Sequence, residues 1–451
     1  MTTIEAFTAF SRFGLGPRKG DLESLGEPRS ALIAELKGPA VVARLDPALP
    51  DHGSIMVTFG RYKRERQRDR DAGRATRGDY QDPLKSWFEA QSPAERSVRV
   101  RQALVAPLGF TERLVAFWTN HFAIQSSTTG ITRALSGAFE REAIRPHVLG
   151  SFGDMLLAAT THPAMLSYLD NGVSVGPNSR NGLRRGAGLN ENHARELLEL
   201  HTLGVDGGYR QDDVTALARV LTGWTMHASG ERAGQFSFRE GSHEPGPQTV
   251  LGKAYEQPDL AQGQAALADL AAHPATARHL ASKFARHFVG DAPDAALIDS
   301  LATTFRDTGG NLASLAAALV LSDAAWTAPP NRLKSPQEFL WSAVRALGVS
   351  IDGDRVQNLL EGMGQPLWNP LSPAGFPDAA LAWLGPEAMT ARLDAAQVLA
   401  ASAEGPDDPV AIAQSVLGPV LMPATQQAME RAESRTQALV LMLMSPEFQR
   451  R

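Results

Sequence analysis

Apolar residues recur three and four positions apart through most of this chain, typically behind a Ser, Thr, Asp or Pro and ahead of a Gly or Pro. That period belongs to helices burying one face, and the flanking residues are those that start and stop them. The pattern predicts helices around 28–37, 111–122, 136–149, 154–169, 190–203, 212–222, 274–288, 294–306, 335–347, 386–402 and 434–444. Alternation of period two is confined to about 234–255, where Phe236, Phe238, Val250 and Leu251 stand among Gly and Pro residues, and it predicts a small β-hairpin insertion. The expected fold class is mainly α, a multi-helical globular body forming a single domain over 1–451.

Three stretches break this grammar. Residues 61–82, RYKRERQRDRDAGRATRGDYQD, are almost free of apolar positions and read as a charged linker or exposed helix. Residues 173–189 form a Gly/Arg-rich loop longer than an ordinary connection. Residues 365–378, QPLWNPLSPAGFPD, contain four prolines that forbid a helix; they read as a strap carrying Trp368 and Phe376 across the body, with a ligand-covering lid as the alternative.

Composition narrows the chemistry. The 451 residues include no Cys, which excludes disulfides, thiolate metal sites and a cysteine nucleophile. With 44 Lys+Arg against 49 Asp+Glu the net charge is −5, so no nucleic-acid partner is expected from bulk charge. No stretch approaches the roughly 18 apolar residues of a membrane span. The first residues, MTTIEAFTAFSRFGLGPRKG, show no export leader, so the sequence as it stands reads as cytoplasmic.

Candidate chemistry concentrates in a few segments. In FTERLVAFWTNHFAI, His121 falls on the apolar stripe and points inward. In NENHARELLELHTLG, residues 190–204, a regular helix puts Glu191, Asn192, Arg195 and Glu199 on one side with Glu196 at its edge, while His201 falls on the apolar side. These carboxylates read either as a surface ladder or as the wall of a cavity offering metal ligands or an acid and base. Arg180, Arg184 and Arg185 precede that helix and, with Asn192 and Arg195, are candidates to hold an anion. His243 sits in a Pro- and Gly-fixed turn, and Trp368 in the strap is a candidate ligand contact. His279 is expected to be exposed and His287 marginal on the 274–288 helix. No nucleotide-cofactor motif is present, and a divalent metal is left open with no ligand set assigned.

The run NENHARELLELHTLGVDGGYRQDDVTALARVLTGW, with RFGLGPRKGDL, FWTNHFAI, HPAMLSYLDN, HEPGPQTVLG, HPATARHLASKFARHFV and SPEFQRR, resembles the bacterial domain of unknown function 1800 family, in order and nearly end to end. The resemblance implies no established activity. It does imply that many relatives are exported, so a periplasmic location is open, and that a second family similar to sulfatases and alkaline phosphatases could supply a partner protein. Thr119 stands where many relatives have His, giving WTNH for WHNH. Two functions stay open at this level: an enzyme gathering His121, Asp170, Glu191, Arg195, Glu196, Glu199, His201 and His243 for metal-assisted or acid/base chemistry, or a non-catalytic binding or assembly protein working with the sulfatase-like partner.

Overall fold

Helix after helix begins at a side-chain cap and packs its apolar face inward. The computed structural model describes residues 3–37, 49–73, 83–186 and 188–451. Thr129, Ser335 and Ser434 each accept a hydrogen bond from a first-turn amide, and the helices they start, Gly130–Phe139, Pro336–Leu347 and Arg435–Met444, bury a stripe against neighbours. The buried faces merge into one continuous core that runs from Phe7 and Phe10 to Phe448. Near its middle Phe13, Phe110, Phe288 and Trp326 stack edge-on and tilted, with Phe13–Phe110 centroids 5.8 Å and Phe13–Trp326 centroids 4.9 Å apart.

Periodicity located the helices named above but not every break, and others, such as Pro83–Val105, Leu260–Ala272 and Leu312–Leu321, were not among them. The segment expected over 154–169 is two helices, Phe152–Thr161 and Pro163–Tyr168. His162 between them is extended, as a residue before proline prefers, and its Nδ1 accepts the amide of Ala164 at 3.2 Å. The segment expected over 136–149 is the end of Gly130–Phe139 followed by a π turn, Glu140–Ile144. A second π turn, Leu197–His201, closes the helix that begins at Asn192. Each π turn carries one extra residue and so rotates the next residues relative to a regular helix, and such turns are frequent at functional sites.

The β content is two antiparallel two-stranded hairpins, Trp224–Met226 with Phe236–Phe238 and Gln248–Val250 with Lys253–Tyr255. The molecule is thus mainly α with small hairpin insertions, the first reaching back to Trp224. Residues 61–71 continue the helix His52–Asp71 and are largely exposed, while 74–82 lie outside the described residues. No helix among the described residues is long and apolar enough to cross a membrane.

Candidate functional site

Helix Phe110–His121 ends in Thr119, Asn120 and His121, and these three residues face three different partners. Asn120 Nδ2 donates to the carbonyl of Phe376 at 2.9 Å, and its Oδ1 accepts the Phe376 amide at 2.7 Å. The Pro-rich strap is therefore tied to this helix near its far end. At its near end Trp368 Nε1–H donates to Glu140 Oε2 at 3.0 Å, an oxygen that also lies 3.4 Å from the Thr119 hydroxyl. Trp368 has φ of 53°, a left-handed backbone unusual for a bulky residue. Gly375 has φ of 81°, and a Cβ there would collide with the carbonyl oxygen of Asn120, so no other residue fits against the helix at that point.

Beneath the strap is a cavity of about 80 Å³, walled by Arg113, His287, Arg332, Glu338, Trp368 and Asp378 among others. A water needs on the order of 10–15 Å³ measured this way, so the space holds several waters or a ligand of few heavy atoms. His287 Nδ1 lies 3.0 Å from Asp378 Oδ1, and its Nε2 is buried without a hydrogen-bond partner. Burial pushes the imidazole down to about 4, against the opposing pull of Asp378, so the ring is neutral at pH 7. Its proton then sits on Nδ1, donated to Asp378, and the Nε2 lone pair is unspent. Burial alone would raise Asp378, but the hydrogen bond from His287 and the charge of Arg332 hold it below the usual carboxylate range. Arg113 pairs with Glu338 at 2.9 Å, and Arg451 reaches the same carboxylate at 2.8 Å. These arginines outweigh burial and keep Glu338 ionised far below its ordinary value.

The helix Pro274–Phe288 supplies more than His287. His279, Lys283 and His287 stand at i, i+4 and i+8 and so share one stripe. His279 Nε2 donates to the carbonyl of Leu200 at 3.2 Å. Lys283 Nζ donates to His121 Nδ1 at 3.1 Å, and His121 Nε2 in turn donates to the carbonyl of His201 at 3.1 Å. Burial lowers Lys283 and pushes His121 and His201 well below an ordinary histidine, with Lys283 adding to the effect on both.

Of the residues singled out in the sequence, Trp368 and Phe376 of the strap line this cavity, whereas His121 is not among its walls and accepts instead from Lys283. His121 and His201 do meet, with ring centroids 6.1 Å apart. The carboxylates of 190–204 face elsewhere: Glu191 accepts from the Thr215 hydroxyl at 2.7 Å and Gln211 at 2.8 Å, and pairs with Arg195 at 3.3 Å, across to the helix Gln211–Val220. Glu199 accepts from the Tyr209 hydroxyl at 3.3 Å, and burial with the nearby Glu199 charge raises Glu196. Asn192 is exposed. His243 Nδ1 donates to the carbonyl of Thr222 at 3.0 Å beside the Phe238 ring. Arg180 packs over Gly241, Arg184 is exposed, and the Arg185 side chain lies outside the described residues. Asp170 takes a left-handed backbone, with its carbonyl accepting from Asn190 at 3.2 Å. His287 was read in the sequence only as marginal on its helix, and His279, expected to be exposed, is partly buried; Asp378, Arg113, Arg332 and Glu338 were not singled out. The His279–Lys283–His287 spacing was the one signal that could have pointed to them.

Comparison with known proteins adds a family and no activity. The sequence model of a family described as "Protein of unknown function (DUF1800)" matches residues 8–450. No curated protein and no solved structure matches the chain.

Proposed function

Given that the chain belongs to the DUF1800 family, we propose that it is an enzyme performing proton-transfer chemistry on a small polar substrate in the strap-covered cavity. The observation that carries this reading is the His287–Asp378 pair: Nδ1 is held by the carboxylate at 3.0 Å, Nε2 is unpartnered, and the ring borders a cavity. That is the arrangement a general base needs, with one nitrogen oriented and the other free to accept a proton.

His287 Nε2 takes a proton from the substrate or from a water beside it. Asp378 stabilises the imidazolium that forms, as an adjacent carboxylate does for any imidazole acting as base. Arg113 and Arg332, whose Nε groups lack hydrogen-bond acceptors, stabilise negative charge developing on the substrate. A space of about 80 Å³ limits the substrate to a few heavy atoms while the strap is closed.

The test is a screen of the purified chain against small esters, lactones, amides and carboxylates bearing an acidic α-proton. Turnover that falls by about 10²- to 10⁴-fold in His287→Gln and in Asp378→Asn, with unfolding transitions kept, supports the reading. Turnover that survives both substitutions, or no turnover across the panel, sinks it.

A further inference from the structure

A second polar cluster lies outside the cavity, at the foot of the exposed charged helix. His52 is the first residue of His52–Asp71, Glu142 belongs to the π turn Glu140–Ile144, and His162 joins Phe152–Thr161 to Pro163–Tyr168. One ligand-type atom from each lies within 4.8 Å of the other two. Among the described residues no other group of three such side chains converges in this way.

We propose that His52, Glu142 and His162 form a binding site for a divalent transition-metal ion of the zinc class. Two imidazole nitrogens and one carboxylate oxygen suit zinc and its neighbours, whereas calcium and magnesium call for oxygen-rich shells. His162 is 6% exposed, yet its Nε2 has no hydrogen-bond partner and stands 3.4 Å from Glu142 Oε2. With bonds of about 2.0–2.1 Å, ligand atoms around a tetrahedral ion sit about 3.4 Å apart, so these two atoms already hold that spacing. His52 Nδ1 touches the same carboxylate oxygen more closely and must withdraw by about an ångström to admit the ion. Its side chain is 30% exposed at the helix start, which leaves the ring room to turn.

Two features bear on occupancy in opposite senses. Glu142 Oε1 accepts the backbone amide of His52 at 3.0 Å, which fixes the carboxylate as an outer hydrogen bond fixes any metal ligand. Against this, ligation through His162 Nε2 moves the ring proton to Nδ1 and surrenders the 3.2 Å bond from the Ala164 amide. Loss of a helix cap is worth about tenfold in an equilibrium constant. A three-ligand site in the micromolar range exceeds that by several orders of magnitude, so the cap does not forbid the ion. With His52 and Glu142 side chains 30% and 20% exposed, a fourth position opens to water. The ion would pin the start of the charged helix to the π turn.

The experiment uses the untagged full chain, stripped with a chelator and then titrated with Zn²⁺ by calorimetry and with Co²⁺ by visible absorption. We expect one ion per chain with micromolar or tighter affinity, and at least a tenfold weakening in both His52→Ala and Glu142→Gln. His243→Ala, in the turn between the two hairpins and outside this cluster, is expected to bind as the parent does. Sub-stoichiometric uptake, or affinity unchanged in both variants, overturns the site. If either variant fails to fold, the zinc-edge X-ray absorption of the loaded parent decides: two imidazoles and one carboxylate support the site, and any other protein shell overturns it. None of these readings depends on the chemistry of His287.

Discussion

Asn120 and Phe376, 256 positions apart in the chain, are joined by two hydrogen bonds between one side-chain amide and one backbone residue, at 2.9 Å and 2.7 Å. The amide reads the strap as a neighbouring β-strand would, at the end of the strap opposite Trp368. Replacing Asn120 with Ala is expected to destabilise the chain by about 1–3 kcal/mol, since each bond contributes about 0.5–1.5 kcal/mol net. Trp368 fluorescence should shift toward that of a solvated indole below the main transition. An unchanged emission maximum and an unchanged melting temperature would show that the strap is held elsewhere.

Gly375 is the complementary half of that contact. Its φ of 81° and the collision of a built Cβ with the Asn120 carbonyl both exclude a side chain. Gly375→Ala should cost roughly 1–3 kcal/mol, read as a shift in the urea midpoint at constant slope. Gly385→Ala, where a Cβ meets no atom within 4 Å and φ is negative, is the matched control and should change little.

Glu338 is buried between Arg113 and Arg451 and also caps its own helix by accepting the Ser335 amide at 2.8 Å. Glu338→Gln leaves two buried guanidinium groups short of a counter-charge and is expected to cost about 3–5 kcal/mol, measured by chemical unfolding at pH 7. Because its folded pKa lies below the unfolded value, its contribution is present above about pH 4.5 and is lost as pH falls through the lower folded value.

Histidines set a different pH window. His193 and His287 are each pushed down to about 4 by burial, so between about pH 6.5 and 4 the unfolded chain binds protons that the folded chain refuses. The contribution of these two rings should be level above pH 6.5 and fall on acidification through that interval, with a slope of about 1.4 kcal/mol per pH unit for each. Urea midpoints at pH 7.5, 6 and 5 test this; a midpoint that rises at pH 5 contradicts the assignment of neutral buried rings.

His193 is 1% exposed and neither ring nitrogen has a partner. An unpaired buried polar group costs on the order of 1–3 kcal/mol, so His193→Met is expected to leave stability unchanged or raise it by about 1 kcal/mol. It should also flatten the acid limb set by the buried rings. His121→Met, which strands the Lys283 amine and the His201 carbonyl, is expected to destabilise instead. Thermal melts of the two variants side by side give the comparison.

Much of this molecule was legible before folding. The apolar period of 3.6 and its caps placed Pro28–Lys37, Pro274–Phe288 and Pro386–Ser402 at the boundaries the sequence suggested, because a helix is decided by neighbours within one turn. The inward turn of His121, which is buried, was legible for the same local reason. The regular-helix wheel for 190–204 was less reliable past Glu196, where the π turn Leu197–His201 changes the residues per turn and hence the face each side chain occupies.

The sequence by itself therefore determined the fold class, the positions of many of the helices and the absence of cysteine chemistry. Tertiary structure alone decided which polar residues meet. His287 reaches Asp378 across 91 positions, Asn120 reaches Phe376 across 256, and Glu142 meets His52 across 90. No periodicity reports such pairs, since it carries information over a few residues only. The chemistry we propose accordingly rests not on the carboxylates of 190–204, of which Glu191 and Glu199 have partners of their own, but on His287 and Asp378, which the fold brings together.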